Sequence, residues 1–145
     1  MADGSFTHAL LISNLCGEMR NALRGKPCRA ISSELLFRSG SGRLYAYPDV
    51  LVFCGPVAVA DDRKDVALNP IVVAEAFDRG KKAAEYRGTE SVQQYLLVSQ
   101  DEALVEVHTR DENGWRLREV RGLDGVCVVE SLGMAGIYEG AELAG

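Results

Sequence analysis

The sequence lacks the features that mark membrane-spanning, secreted and zinc-binding proteins. No apolar run approaches the roughly 20 residues that cross a bilayer, and residues 1–5 carry no basic segment leading into an apolar one, as a secretory signal would. The four cysteines form no Cys-x-x-Cys pair and no histidine stands at ligand spacing from them, so a zinc site is not expected. We therefore expect a cytoplasmic protein with no membrane partner, whose cysteines are small buried thiols.

An excess of positive charge is also missing. The formal net charge is -5, so any attraction to nucleic-acid phosphates has to be local. Cationic residues gather in two groups, and for the first a solvated helix face is the favoured interpretation. The groups are Arg20, Arg24, Lys26 and Arg29, and Arg79, Lys81, Lys82 and Arg87. Aromatic residues are scattered without the basic interleaving of a single-strand binding platform.

What the chain does contain is ordinary globular composition. Its 145 residues are 47% hydrophobic and 26% charged, with no low-complexity run. This length buries a real core but falls short of the size at which a second one is expected. We predict a single domain over residues 1–145.

The hydrophobic pattern predicts both helices and strands. Apolar residues recur at helical spacing over 7–23, and a glycine and a proline then end the helix. Strands are predicted over 28–38 and 44–54, joined as a hairpin by the turn SGSG, with a polar loop over 57–68.

The second half begins with a predicted strand after Asn69-Pro70, then a helix capped by Asp78 and continuing toward Gly88, then a strand over 95–99. A helical crossover makes the two strands parallel, so the sheet is mixed. Turn-bounded strands at 104–109, 115–120 and 126–129 complete a C-terminal meander. The fold class is α/β (α+β), a mixed β-sheet flanked by helices.

Three charged residues in this framework form a candidate site. Asp49 stands at the entry of a hydrophobic strand, Glu75 lies inside the next, and Lys82 follows on the predicted helix. Carboxylates are costly in strands unless a cation or hydrogen bonds offset their burial. Two acids and a lysine are what a metal-assisted phosphodiester hydrolase needs. The alternatives are that Asp49 caps a backbone N–H, and that Glu75 pairs with Arg79 at helical spacing.

Several segments in order resemble the Uma family of endonucleases, in the restriction-endonuclease-like PD-(D/E)xK superfamily. They are YPDVLVFCG at 47–55, NP at 69–70 leading to Glu75, DRGKK at 78–82 followed by Tyr86, and QYLLVSQD at 94–101. His8 and the closing segments SLG at 131–133 and IYE at 137–139 extend the likeness over nearly the whole chain. The resemblance implies a restriction-endonuclease-like sheet and a DNA phosphodiesterase activity.

The resemblance also implies roles for particular residues. Asp49 and Glu75 match the metal-binding acids of the family, and Lys82 matches its catalytic lysine. Glu34 and His8 match an acidic and a histidine position around the pocket. Two carboxylates suit Mg²⁺ or Mn²⁺, and the lysine would steady developing negative charge. Restriction-like nucleases often pair to cut two strands, so a homodimer and a DNA partner are expected.

The sequence departs from the family pattern in two places. The segment between Glu75 and Asp78 is roughly seven residues shorter than in the family, and relatives have additional residues before the first helix. Glu75 is then either the strand acid with its loop deleted, or a residue that now matches the position before the helix. The second possibility predicts an alternative function, a catalytically degenerate member that acts as a binding or dimerisation module.

Overall fold

A computed structural model describes residues 5–32, 34–76, 82–126 and 132–143. Its elements in chain order are α1 (Phe6–Ala22), β1 (Cys28–Ser32), β2 (Leu36–Arg38), β3 (Tyr45–Ala46), β4 (Val50–Cys54), β5 (Val59–Ala60), β6 (Arg63–Ala67), β7 (Val72–Ala76), α2 (Ala83–Arg87), β8 (Gln94–Val98), β9 (Leu104–Asp111), β10 (Gly114–Arg121) and α3 (Met134–Ile137). Within those ranges no helix has the length and apolar content needed to span a membrane.

The first helix forms where its periodicity predicts. The Ser5 side chain accepts the backbone N–H of His8, which satisfies one of the donors that a helix N-terminus leaves open. The helix then buries one face, at Leu11, Leu15 and Met19, against the main sheet. Because Ser5 caps the start of α1, His8 in the first turn has a defined position.

The main sheet has six strands in the order β1-β4-β7-β8-β9-β10. β4 pairs antiparallel with β1 and β7, whereas β7 and β8 are parallel, because α2 carries the chain back to the same edge. β9 and β10 form a long antiparallel hairpin. The predicted mixed sheet and its parallel pair are confirmed, and the first two strands of the predicted C-terminal meander are present as β9 and β10.

A second sheet, in the order β3-β2-β6-β5, was not predicted. The two strands predicted over 28–38 and 44–54 do form a hairpin, but each is divided between the sheets, β1 and β4 in the main sheet and β2 and β3 in the other. The predicted polar loop over 57–68 is wrong, since it contains β5 and β6. The exposed polar residues at 61–65 lie at the turn of this hairpin and along β6. They hide the strand pattern from a prediction based on hydrophobicity.

The predicted helix toward Gly88 is present as α2, which begins at Ala83. Asp78, the predicted cap, lies outside the described residues, as does most of the predicted strand at 126–129. Val126 forms a single bridge with Gly133.

Two hydrophobic clusters hold these layers together. One lies between α1, α3 and the main sheet, and it includes alternate residues of β7, Val72, Ala74 and Ala76. The other lies on the opposite face, where Val73 of β7 packs with residues of β2, β4, α2 and β8. Because successive residues of a strand point to opposite faces, Glu75 belongs with Val73 on the side of α2.

The prediction of reduced cysteines is wrong for one pair. Cys28 and Cys54 are joined by a disulfide, and they are also direct partners in the register of β1 and β4. Their strand pairing brings the two side chains together, although 26 residues separate them along the chain. Cys16 is free and half-buried, and Cys127 lies outside the described residues.

Candidate active site

Asp49 and Glu75 lie at the same end of the main sheet. The register of β4 and β7 pairs Val50 with Ala74, so Asp49 and Glu75 are the next residues along the two adjacent strands. In an antiparallel pair, residues that face each other across strands are close neighbours. The strand pairing therefore accounts for the proximity of two acids that stand far apart in sequence.

Asp49 Oδ2 has two contacts. It accepts the backbone N–H of Ala76 at 2.9 Å, and it lies 3.3 Å from Nε2 of His8. The first contact satisfies a strand N–H at the point where the β4–β7 ladder ends, which is the capping role that Pro48-Asp49 also allows. The second orients the carboxylate from α1. Within the described residues no hydrogen bond involves Oδ1.

Glu75 is almost fully buried, at 4% exposure, and is held by hydroxyl groups. Tyr86 of α2 donates to Oε2 at 3.1 Å, and Tyr95 of β8 donates to Oε1 at 3.3 Å. An ionised carboxylate in such a place needs donors or a cation, because burial removes its hydration. The two tyrosines account for the presence of an acid in the core.

Lys82 supplies the cation beside Glu75. Its Nζ lies 3.6 Å from Glu75 Oε2, and its side chain is partly exposed. The short connection after β7 therefore does not prevent Lys82 from reaching the strand acid. The structure brings together Glu75 with Lys82, and Asp49 with His8, and links the two pairs through the backbone of Ala76.

The place of Glu34 around the pocket stays a prediction. This residue is exposed, and its backbone N–H donates to Ser32, with no side-chain hydrogen bond to Asp49 or Glu75 in the described part of the chain. Arg79, the predicted alternative partner of Glu75, lies outside the described residues.

Sequence reasoning missed the two tyrosines as ligands of Glu75. Tyr95 is a fully buried core aromatic whose hydroxyl also donates to Glu75. The spacing of Lys82 and Tyr86 is a signal that could have found the first tyrosine. Tyr86 stands four residues after Lys82, so both side chains lie on the same face of a helical turn. The parallel pairing of β7 with β8 places Tyr95 diagonally from Glu75.

The hydrogen-bonded aromatic group continues to His108. Ring centroids lie 5.0 Å apart for Tyr86 and Tyr95, and 5.4 Å apart for Tyr95 and His108. Arg87 lies 3.3 Å from His108 Nδ1, and Glu106 lies 3.6 Å from its Nε2. Burial first, and the Arg87 charge second, lower the pKa of His108, so this ring is neutral near pH 7. His108 thus has partners that the sequence did not reveal.

The donor atoms of this site suit a divalent cation with few protein ligands. Among the residues that the structure describes, no three His, Cys, Asp or Glu side chains gather in one place. Mg²⁺ nevertheless takes only one or two protein carboxylates and keeps several waters or phosphate oxygens as its other ligands. Asp49, with Oδ2 anchored by the Ala76 N–H and no hydrogen bond to Oδ1 among the described residues, fits such a ligand, and Glu75 stands across from it on the adjacent strand.

Comparison with known proteins places this geometry in a family. The family model Uma2, described as "Putative restriction endonuclease", matches residues 1–136. The uncharacterised protein slr1290 of Synechocystis is 30% identical over 134 residues, covering 86% of this chain and 68% of its own length. A second Synechocystis protein, sll1609, is 26% identical over 130 residues, covering 84% of this chain and 73% of its own length.

A solved structure has the same fold. It is a crystal structure from Anabaena variabilis, titled as a "putative nuclease belonging to DUF820", with a TM-score of 0.72 and 14% sequence identity. The match covers 93% of this chain and 82% of that one. The mixed α+β fold predicted from the sequence is confirmed. With a family model that spans residues 1–136, the chain belongs to the Uma2 family.

Proposed function

We propose that this protein is a Mg²⁺- or Mn²⁺-dependent endonuclease that hydrolyses DNA phosphodiester bonds at the end of the sheet containing Asp49 and Glu75. One observation carries the proposal: the register of β4 and β7 sets Asp49 across from Glu75 on the adjacent strand, and Lys82 at the start of α2 reaches Glu75. Family membership supports the reaction class.

The chain's own residues would act as follows. Asp49 presents a carboxylate whose orientation is set by His8 and the Ala76 N–H. Lys82 places a positive charge at the partly exposed rim of the site, where it can stabilise negative charge that develops on a phosphoryl group. Tyr86 and Tyr95 hold Glu75 and so fix the position of Lys82 as well.

Asp49, with Glu75 beside it, would hold the divalent cation. When bound, such a cation polarises a phosphoryl oxygen and lowers the pKa of a coordinated water. Asp49 is the stronger candidate ligand, because both oxygens of Glu75 already accept hydroxyl hydrogen bonds.

The proposal is tested with the Asp49→Asn variant, which keeps the size of the side chain and removes its charge. Plasmid cleavage with Mn²⁺ should fall by at least about a hundredfold, because one metal ligand and its charge are lost. Mn²⁺ binding, measured by electron paramagnetic resonance, should weaken in parallel.

The matched control is Asp101→Asn, which removes an exposed carboxylate on the loop after β8. It should cut plasmid as wild type does. An Asp49→Asn protein that is folded and cuts at the wild-type rate would overturn the proposal.

A second function is favoured by the contacts of Glu75. A carboxylate saturated by Tyr86, Tyr95 and Lys82 can be a purely structural element, as in a degenerate member that binds or dimerises without cutting. Glu75→Gln discriminates between the two. A catalytic ligand loses Mn²⁺ affinity and cleavage together, whereas a structural acid loses only stability.

A homodimer and a cytoplasmic location stay predictions. The disulfide bears on location, because most cytosolic proteins keep their thiols reduced. Thiol alkylation of protein from freshly lysed cells would show whether Cys28 and Cys54 are joined in the compartment where the protein works.

A further inference from the structure

An open cavity of about 610 Å³ lies at the opposite end of the main sheet from Asp49. It is formed where α1 ends, where β1 begins and where β4 turns at Gly55. Neither Asp49 nor Glu75 lines it. It is therefore separate from the candidate active site.

The charge of this cavity is opposite to that of the protein. Its lining contains no acidic residue and four cations, in a chain with a formal net charge of -5. The four are Arg20, Arg24, Lys26 and Arg29, all of them exposed. They are the first cationic group of the sequence, interpreted there as a solvated helix face.

Three of the four cations lack a neutralising partner. In the part of the chain that the structure describes, no salt bridge involves Arg20, Arg24 or Arg29. By contrast, Arg63, Arg116 and Arg121 pair with nearby acids. Cations that converge without acids raise the local concentration of anions.

The rim of the cavity is held in place before any ligand arrives. Cys28, a lining residue, is joined to Cys54. The Gly55 N–H also donates to the Pro27 carbonyl at 2.9 Å, which ties the two turns together. A site that needs no rearrangement loses less free energy to ordering on binding.

The position of the cavity matches a ligand that also reaches the candidate active site. Arg20 follows His8, the neighbour of Asp49, by 12 residues of α1, which is about 18 Å at the rise of a helix. The phosphates of one strand of a duplex advance by about 3.4 Å per nucleotide along the duplex axis, so this distance, taken along that axis, corresponds to about five nucleotides.

We infer that the cavity of Arg20, Arg24, Lys26 and Arg29 binds backbone phosphates of DNA about five nucleotides from the bond to be cut. The choice of DNA as ligand rests on the proposed function; the choice of phosphate rests on the cavity alone. The chemistry is counterion release: each cation that contacts a phosphate makes binding more dependent on salt.

The test is direct binding, without hydrolysis. A fluorescent duplex of about 20 base pairs, or two helical turns, is titrated with wild-type protein in EDTA and followed by anisotropy. The Arg20→Gln/Arg24→Gln variant should bind about tenfold or more weakly near 0.1 M salt, and the slope of log affinity against log salt should shrink by about two.

The matched control is Arg116→Gln/Arg118→Gln, which removes the same charge from exposed positions on β10. It should change affinity by less than about threefold. Lys26→Gln/Arg29→Gln removes two cavity cations outside α1, so it answers the question even if the helix variant unfolds. A cation near a helix C-terminus can also stabilise the helix itself through its dipole. Thermal unfolding of each variant is therefore measured as well.

Three results would overturn the inference: no duplex binding by wild type, equal loss in the cavity and control variants, or wild-type affinity in both cavity variants. Tight binding of inorganic phosphate alone, with no competition by duplex, would also contradict it and identify a free phosphate ligand. Because binding is measured in EDTA, without cleavage, the two proposals can fail separately. If the protein binds DNA through the cavity but never cuts it, this inference stands and the proposed function fails. If the protein cuts DNA but all variants bind equally well, the proposed function stands and this inference fails.

Discussion

Asp49 and Glu75 are both carboxylates at strand ends, yet their surroundings differ. Glu75 is buried and accepts two tyrosine hydroxyls, whereas Asp49 is partly exposed and uses one oxygen for a backbone N–H and a histidine. A buried charge is stabilised only by the donors around it. The hydroxyls of Tyr86 and Tyr95 should therefore matter for stability, and Asp49 for ligand binding.

Tyr86→Phe tests this difference. It removes one donor to a buried carboxylate, so the free energy of unfolding should fall by about 1–3 kcal/mol. Urea denaturation measures the change. Tyr45→Phe, at an exposed tyrosine of β3, should change stability little. Equal stability of Tyr86→Phe and wild type would mean that its hydroxyl does not support Glu75.

His108 predicts a pH dependence. Burial and Arg87 lower its pKa in the folded state, so the unfolded chain binds a proton that the folded chain does not. This stability is complete above the ordinary histidine pKa, about 6.5, and is lost as pH falls from there through the folded pKa.

The measurement is urea denaturation from pH 7.5 to 5.5, where wild type should lose stability faster than His108→Gln. The chain has one other histidine, His8, which both proteins keep. Parallel curves for the two proteins would show that His108 is not protected from protonation.

At the scale of elements, the ends of the strands hold the functional features. β4 has Asp49 before its first residue and the disulfide at its last, so one short buried strand connects the candidate active site to the basic cavity. Apolar residues along both faces of β4 fix its position between β1 and β7.

The disulfide of Cys28 and Cys54 should stabilise this arrangement. It joins residues 26 apart, and a loop of that length corresponds to about 3 kcal/mol of lost entropy in the unfolded chain. Cys28→Ser/Cys54→Ser should unfold at correspondingly lower urea, and wild type with reductant should behave the same way. Cys16→Ser, at the free thiol, is the control; no effect of reductant on wild type would contradict the prediction.

At the scale of the molecule, the two sheets share one hydrophobic cluster. Phe37 of β2 is fully buried against residues of the main sheet, and its ring centroid lies 5.7 Å from that of Tyr86. The small sheet thus packs directly behind the tyrosine that holds Glu75. The two sheets should therefore unfold together.

Phe37→Ala tests that coupling. Removing a buried phenyl ring should cost about 3–5 kcal/mol, in a single transition seen equally by circular dichroism and by Trp115 fluorescence. It should also weaken metal-dependent cleavage, since Tyr86 loses its neighbour. Phe6→Ala, at a residue that is 80% exposed, is the control. Two separate transitions would show that the sheets fold independently.

Much of the fold could be predicted because local patterns agree with it. The periodicity of α1, the turns before β10 and after β4, and the helical connection between β7 and β8 all indicated what formed. The division of the first hairpin between two sheets could not be predicted, since it depends on which neighbour each half finds. The exposed polar residues of β6 likewise hide a strand that only its partners β2 and β5 define.

The sequence by itself determined the candidate residues, because Asp49, Glu75 and Lys82 are unusual where they stand and lie in the order of the family. Only the tertiary structure decided how they are used. Strand register put Asp49 beside Glu75, packing supplied the tyrosines that satisfy the buried charge, and chain reversal at Gly25 and Gly55 gathered the four cations around a cavity. Contacts between residues distant in sequence depend on the folded register and packing, which no local pattern specifies.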